Sequence, residues 1–122
     1  MVIPSDASIL VVEDEWIIAE AISRSLRRWG YRVLGPAADV PAALALLEQE
    51  TPAAALLDAS LGHQPSFAVA DLLIARGVPF AFLSGHQVED LPPRYAASRL
   101  LNKPFAEAAL QTEIMALLGI PG

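Results

Sequence analysis

The chain is expected to fold as a doubly wound α/β domain: one five-stranded parallel sheet with helices on both faces. Three observations lead there. Short apolar runs, of the kind that fill strands buried on both faces, alternate five times with segments of helical apolar spacing. Gly, Pro and Asp fall where such elements should start and stop. The 122 residues suit one hydrophobic core, and right-handed crossovers at that length favour a single sheet.

The elements follow in order. Ser8–Asp14 opens on Ile9–Val12, a β-branched first strand that ends in the acids Glu13 and Asp14. Glu15–Trp29 is a helix: Ile18, Ile22, Leu26 and Trp29 keep helical phase, and Gly30 can stop it after Arg27 and Arg28. Trp16 and Trp29 are read as helix-packing residues rather than partner anchors, although Trp16, beside the acids, could be partly exposed. Tyr31–Gly35 is a weaker strand, closer to an edge. Asp39 can cap a second helix with Pro41 in its first turn and Leu44 and Leu47 on one side, running to about Glu50. Ala53–Asp58 is the third strand, set between Pro52 and a Ser-Leu-Gly-His-Gln-Pro loop. Ser66 can cap a third helix over Phe67–Arg76, with Val69, Leu72 and Leu73 inward and Gly77 as its stop.

Pro79–Leu83 is the fourth strand and ends in Ser84-Gly85. Over His86–Ala97, Pro92-Pro93 interrupts any helix, so a fourth helix should be short, displaced or missing. Arg99–Leu101 is a fifth strand leading to Asn102-Lys103-Pro104. Phe105–Leu118 closes the chain as a helix with Leu110, Ile114 and Leu117 in phase.

Composition narrows the function. With 54% hydrophobic and 18% charged residues, disorder is not expected. A net charge of −6, from 8 basic and 14 acidic residues, argues against direct nucleic-acid binding, which needs a basic face. The absence of cysteine excludes disulfides, thiolate catalysis and Cys-ligated metal. No apolar run could cross a bilayer, and the N-terminus lacks the features of a signal peptide, so a cytoplasmic location without a membrane partner is expected. Residues 1–122 are expected to form one domain with no separate output domain, so that output passes through a partner protein.

Function is sought where the strands end, because open α/β sheets bind ligands beyond their carboxyl edges. The first strand supplies Glu13 and Asp14, the third Asp58, the fourth Ser84 and the fifth Lys103. Taken singly, each has a plainer reading: Asp58 or Asp14 as a cap, Ser84 as a loop hydroxyl satisfying backbone, Lys103 as a solvated surface lysine. Taken together they are three carboxylates, a hydroxyl and an ammonium on one edge. Crowded carboxylates repel unless a cation holds them, and oxygen ligands without Cys or a His pair suggest Mg²⁺. A carboxylate left able to attack phosphorus gives an aspartyl phosphate, whose charge the ion, Lys103 and Ser84 could share.

On these residues — Glu13-Asp14, Asp58, Ser84 and Lys103-Pro104 — the chain resembles the receiver domains of two-component response regulators over essentially its whole length. The resemblance implies the flavodoxin-like strand order 2-1-3-4-5. It implies that Asp58 is the phosphoacceptor, phosphorylated by a histidine kinase or phosphotransfer protein, with Lys103 and Ser84 assisting. Asp14 and Asp58 would bind Mg²⁺ directly, the Ser60 carbonyl would be the third protein ligand, and Glu13 would act through a water. The Lys103–Pro104 peptide is expected to be cis. The only chemistry expected is self-phosphorylation and autodephosphorylation on Asp58, so the chain is not expected to be an enzyme toward other substrates. Its output would be binding to a downstream protein, as a monomer or a phosphorylation-dependent dimer.

Some positions depart from the family pattern. The residue three before the lysine, often an aromatic switch, is Leu100. The stretches Pro79–His86 and Leu100–Phe105 are similar to stand-alone receivers with a Phe-Ala-Thr-Gly-type motif, Leu83 and Ser84 replacing the Ala and Thr. His63 and His86 flank the expected pocket, where they could tune phosphate hydrolysis or simply be exposed. Val88–Tyr95 is expected to be the part that moves on phosphorylation. An alternative reading is a receiver-like interaction module that acts without phosphorylation. A more distant one is a small Mg²⁺-dependent phosphohydrolase, which the lack of a cap segment disfavours.

Overall fold

The computed structural model describes residues 7–61, 64–85, 91–95 and 97–120. Strands β1 (Ser8–Val12), β2 (Arg32–Ala37) and β3 (Ala54–Asp58) alternate with helices α1 (Trp16–Arg28) and α2 (Val40–Gln49). A hairpin of two short strands, β4 (Ser60–Leu61) and β5 (Gln64–Pro65), follows β3 directly. Then come α3 (Phe67–Ala75), β6 (Phe80–Ser84), a 3₁₀ turn (Pro93–Tyr95), β7 (Arg99–Asn102) and α4 (Glu107–Leu118). The main sheet has five parallel strands in the order β2-β1-β3-β6-β7, which is 2-1-3-4-5 when the hairpin is left out.

Each central strand divides its side chains between two apolar layers, as a sheet covered on both faces must. Ile9, Val11, Ala54, Leu56, Ala81 and Leu83 pack with Ile22 and Leu26 of α1 and Leu110, Ile114 and Leu117 of α4. Their neighbours Leu10, Val12, Ala55, Leu57, Phe80 and Phe82 pack with Ala43 and Leu47 of α2 and Val69, Ala70 and Leu73 of α3. Asp39 caps α2 as expected, its Oδ1 accepting from the Ala42 amide at 2.8 Å. The Lys103–Pro104 peptide is cis, and so is Gly35–Pro36.

Four local expectations are corrected. Ser66 does not cap α3; its hydroxyl instead donates to the Asp58 carbonyl at 2.5 Å. Trp16 does not pack: it is 75% exposed, with Ile17 beside it at 68%, because α1 turns that side of its first turn to water. The closing helix begins at Glu107, not Phe105, since Phe105 is used as apolar cover for the α1–α4 layer. The segment after Asp58, expected as a loop, holds the β4–β5 hairpin, whose two-residue strands are too short to show a period. The broken fourth helix is in keeping with the 3₁₀ turn seen over Pro93–Tyr95, while residues 86–90 lie outside the described residues.

Gly35 lies within β2 with φ +101°, and a Cβ there would stand 2.8 Å from the Ala37 nitrogen and 3.1 Å from the Val11 carbonyl oxygen. Gly30 has a similar φ of +95° but open space around it. Gly30→Ala should therefore cost about 1–2 kcal/mol through backbone conformation alone. Gly35→Ala should cost clearly more, because main-chain atoms must also move. Urea denaturation of the two variants checks this, and equal losses would refute the close approach at residue 35.

Candidate functional site

The parallel sheet brings the predicted residues to one edge. Glu13 and Asp14 leave β1, Asp58 ends β3, Ser84 ends β6, and Lys103 follows β7. The order of strands makes β1 and β3 neighbours, and β6 carries the tip of β7 alongside. There the Lys103 amide donates to the Ser84 carbonyl at 2.7 Å, which fixes where the lysine side chain starts.

The Lys103 ammonium stands between the acids, 2.5 Å from Glu13 Oε1 and 3.0 Å from Asp58 Oδ2, with Glu15 Oε1 farther off at 3.7 Å. Asp58 Oδ1 accepts from the Ser60 amide at 3.1 Å, and Glu13 Oε2 accepts from the Glu15 amide at 3.1 Å. Carboxylate oxygens of Glu13, Asp14 and Asp58 lie within 4.8 Å of one another. Glu13 and Asp58 are buried, while Asp14 is exposed at the mouth.

Such crowding shifts the charges. Burial, and then the neighbouring Asp58, push the Glu13 carboxyl from an ordinary 4.5 up to about 7, against the opposing pull of Lys103. For Lys103, burial works against the ammonium, but the Glu13 and Asp58 carboxylates outweigh it and hold its pKa above the ordinary value.

Two buried polar atoms are incompletely satisfied among the described residues. The Ser84 hydroxyl has no hydrogen-bond partner, and Glu13 Oε1 has an ion-pair partner but no aligned hydrogen bond. Leaving such a group unpaired costs about 1–3 kcal/mol, so both are suited to an additional partner at the site. The donor set fits a hard divalent cation: three carboxylates on the sheet edge and no sulfur.

The site draws on residues that the sequence pattern did not single out. Glu15 adds a third acid near Lys103, and its place beside the Glu13-Asp14 pair was the available signal. Ser66 ties α3 to the Asp58 backbone, a contact that exists only because the β4–β5 hairpin folds the chain back. His63 and His86 lie outside the described residues. Beside the acids, an apolar groove of about 520 Å³ runs between α1 and α4, lined by Ile17, Ile18, Phe105 and Leu110 and opening at Lys103 and Gly85.

Residues 9–115 match the sequence family described as the response regulator receiver domain. Among solved structures the chain is similar to SdrG from Sphingomonas melonis Fr1, at 33% identity and a TM-score of 0.83, covering 95% of this chain and 99% of that one. A response regulator receiver protein from Burkholderia phymatum shares the fold at 24% identity and a TM-score of 0.83, over 96% of this chain and 98% of that one. NtrX from Brucella abortus, in complex with ADP, aligns at 27% identity and a TM-score of 0.81, over 93% of this chain but 26% of that longer one. No curated protein sequence gives a significant match.

The raised pKa of Glu13 has a consequence for stability. A carboxyl whose folded pKa exceeds its unfolded one contributes most at low pH and loses that contribution as pH rises through the folded value. The window runs from about 4.5 to about 7. Without divalent cations, Glu13→Gln should match the parent chain near pH 5 and exceed it by about 1–2 kcal/mol near pH 8, after discounting for residual hydration. Thermal denaturation in EDTA at the two pH values checks this; a variant less stable than the parent at the higher pH would refute it.

Proposed function

Since the chain belongs to the response regulator receiver domain family, we propose that Asp58 takes a phosphoryl group from a histidine kinase or phosphotransfer protein in a Mg²⁺-dependent reaction, and that the modified domain signals by binding another protein. The observation that carries this reading is the meeting of the Glu13, Asp14 and Asp58 carboxylates, with Lys103 set between Glu13 and Asp58 and the Ser84 hydroxyl, unpartnered among the described residues, on the adjoining strand tip.

Asp14, Asp58 and the backbone carbonyl of Ser60 would hold the ion directly, and Glu13 would do so through a water. When bound, Mg²⁺ supplies neutralisation of the negative charge on the phosphoryl oxygens. A carboxylate oxygen of Asp58 attacks phosphorus in line with the leaving nitrogen. The P–O bond forms as the P–N bond to the donor imidazole breaks, and the electron pair departs with that nitrogen. Lys103, already against Asp58 Oδ2, pairs with a phosphoryl oxygen. The Ser84 hydroxyl donates to another and so gains the partner it lacks. Attack of water on the acyl phosphate later returns inorganic phosphate and the free carboxylate. The only substrate turned over is the domain itself.

The groove between α1 and α4, lined in part by the exposed Ile17 and reaching Lys103, supports docking of a protein donor close to Asp58. Leu100 is 38% exposed on β7 and carries no hydroxyl, so the aromatic switch of many receivers has no counterpart at that position. This favours, as a second reading, an interaction module that works without phosphorylation.

Incubation with Mg²⁺ and acetyl phosphate, followed by intact mass measurement, distinguishes the two. The parent chain should gain one phosphoryl group, and Asp58→Ala should gain none. Lys103→Ala should slow the reaction about a hundredfold, in keeping with loss of a preorganised charge at the reacting group. Absence of an adduct, together with partner binding unchanged by Asp58→Ala, would establish the second reading instead.

A further inference from the structure

The 3₁₀ turn Pro93–Tyr95 is fastened to α3 rather than lying loose on the surface. Tyr95 is 1% exposed. Its hydroxyl donates to Asp71 Oδ1 and lies 3.2 Å from the Phe67 carbonyl oxygen. Arg94 reaches the same carboxylate, Nε to Oδ1 at 3.3 Å and Nη2 to Oδ2 at 3.4 Å. Its guanidinium also lies over the Tyr95 ring, 4.6 Å from the centroid. Exposed ion pairs contribute little. The buried tyrosine is therefore the main fastening, and Asp71 and Arg94 close it from outside.

Two paths lead from the phosphoacceptor site to this tyrosine. From β3, the Asp58 carbonyl accepts from the Ser66 hydroxyl, and the next residue, Phe67, stacks on Tyr95 with centroids 5.0 Å apart. From β6, Phe82 lies two residues before Ser84 on the same side of the strand and meets the Tyr95 ring at 5.5 Å. Tyr95 thus touches extensions of both the carboxylate strand and the hydroxyl strand. In the fastened arrangement the Ser84 hydroxyl has no hydrogen-bond partner among the described residues.

We propose that the Asp71–Arg94–Tyr95 clasp is a conformational latch: closed, it fixes the β6 tip with the Ser84 hydroxyl unengaged, and its release accompanies engagement of that hydroxyl by a phosphoryl oxygen. The inference rests on the phosphoacceptor reading above. Drawing Ser84 toward Asp58 displaces the β6 tip and with it Phe82, which supports the Tyr95 ring. Thermodynamic reciprocity then requires that weakening the clasp strengthen binding of a phosphoryl group or its mimic.

The test is titration of the full chain with beryllofluoride in Mg²⁺, followed by ¹⁹F NMR. Tyr95→Phe keeps the ring and removes the hydroxyl. Asp71→Ala removes the shared acceptor at an exposed site. Each should tighten apparent binding about fivefold or more, the low end of ordinary coupling between sites. The double variant should gain little beyond either single one, because both break the same clasp. Arg32→Ala, which breaks the remote pair with Glu50, should leave affinity unchanged. Beryllofluoride should also speed hydrogen exchange at the Tyr95 and Ser98 amides, which bond within this turn. Unchanged or weaker binding in folded Tyr95→Phe and Asp71→Ala would overturn the latch alone. Failure of the parent chain to bind would overturn the phosphoacceptor reading with it.

Discussion

The structure depends on how a half-buried ammonium offsets carboxylates that would otherwise drive each other apart. Lys103 spans Glu13 and Asp58 at 2.5 and 3.0 Å, and because both carboxylates are buried the charge interactions are stronger than they would be at the surface. The sheet exists, in functional terms, to make that meeting possible. Its strand order sets β1 beside β3 and carries β7 past β6, and the backbone bond from Lys103 to Ser84 fixes the lysine stem. The two apolar layers hold those strand tips in place. The compensation is not complete: burial first, and then the neighbouring Asp58, keep the Glu13 carboxyl raised despite Lys103. A site left somewhat too negative is one to which adding a cation is favourable.

Most of the architecture could be read directly from the chain because each central strand is a continuous apolar run ended by a polar residue. Ile9–Val12 before Glu13 and Ala53–Leu57 before Asp58 leave little choice of element or of end. The parallel sheet then converts five separate strand endings into one edge, so the candidate site followed from topology without any local motif. What could not be read were features set by tertiary context. Ser66 precedes a helix and looks like a cap, but a hairpin turns its hydroxyl toward Asp58 instead. Ile18 was legible as the inward residue of the first turn from its phase with Ile22 and Leu26, whereas the exposure of the large Trp16 beside it follows from where α1 lies on the sheet. Asp71 and Tyr95 meet across 24 positions through a turn with no period of its own.

The two faces of the sheet serve the site differently. The layer under α2 and α3 carries the aromatic group of Phe67, Phe80, Phe82 and Tyr95, adjoining the ends of β3 and β6. The layer under α1 and α4 is mainly aliphatic and borders the open groove, with Glu107 bonded to Ser25 and Arg28 across it. An approaching protein would meet the second layer first, while rearrangement inside the molecule would pass through the first.

The placement of the indole side chains has a practical corollary. Both tryptophans belong to α1 or its cap, Trp16 in water at one end and Trp29 partly covered by the α1–α4 layer at the other. Their emission therefore samples one half of the molecule. Events confined to the aromatic layer on the opposite face would pass almost unseen in a fluorimeter set to excite indole, and following them calls for a reporter placed on that side.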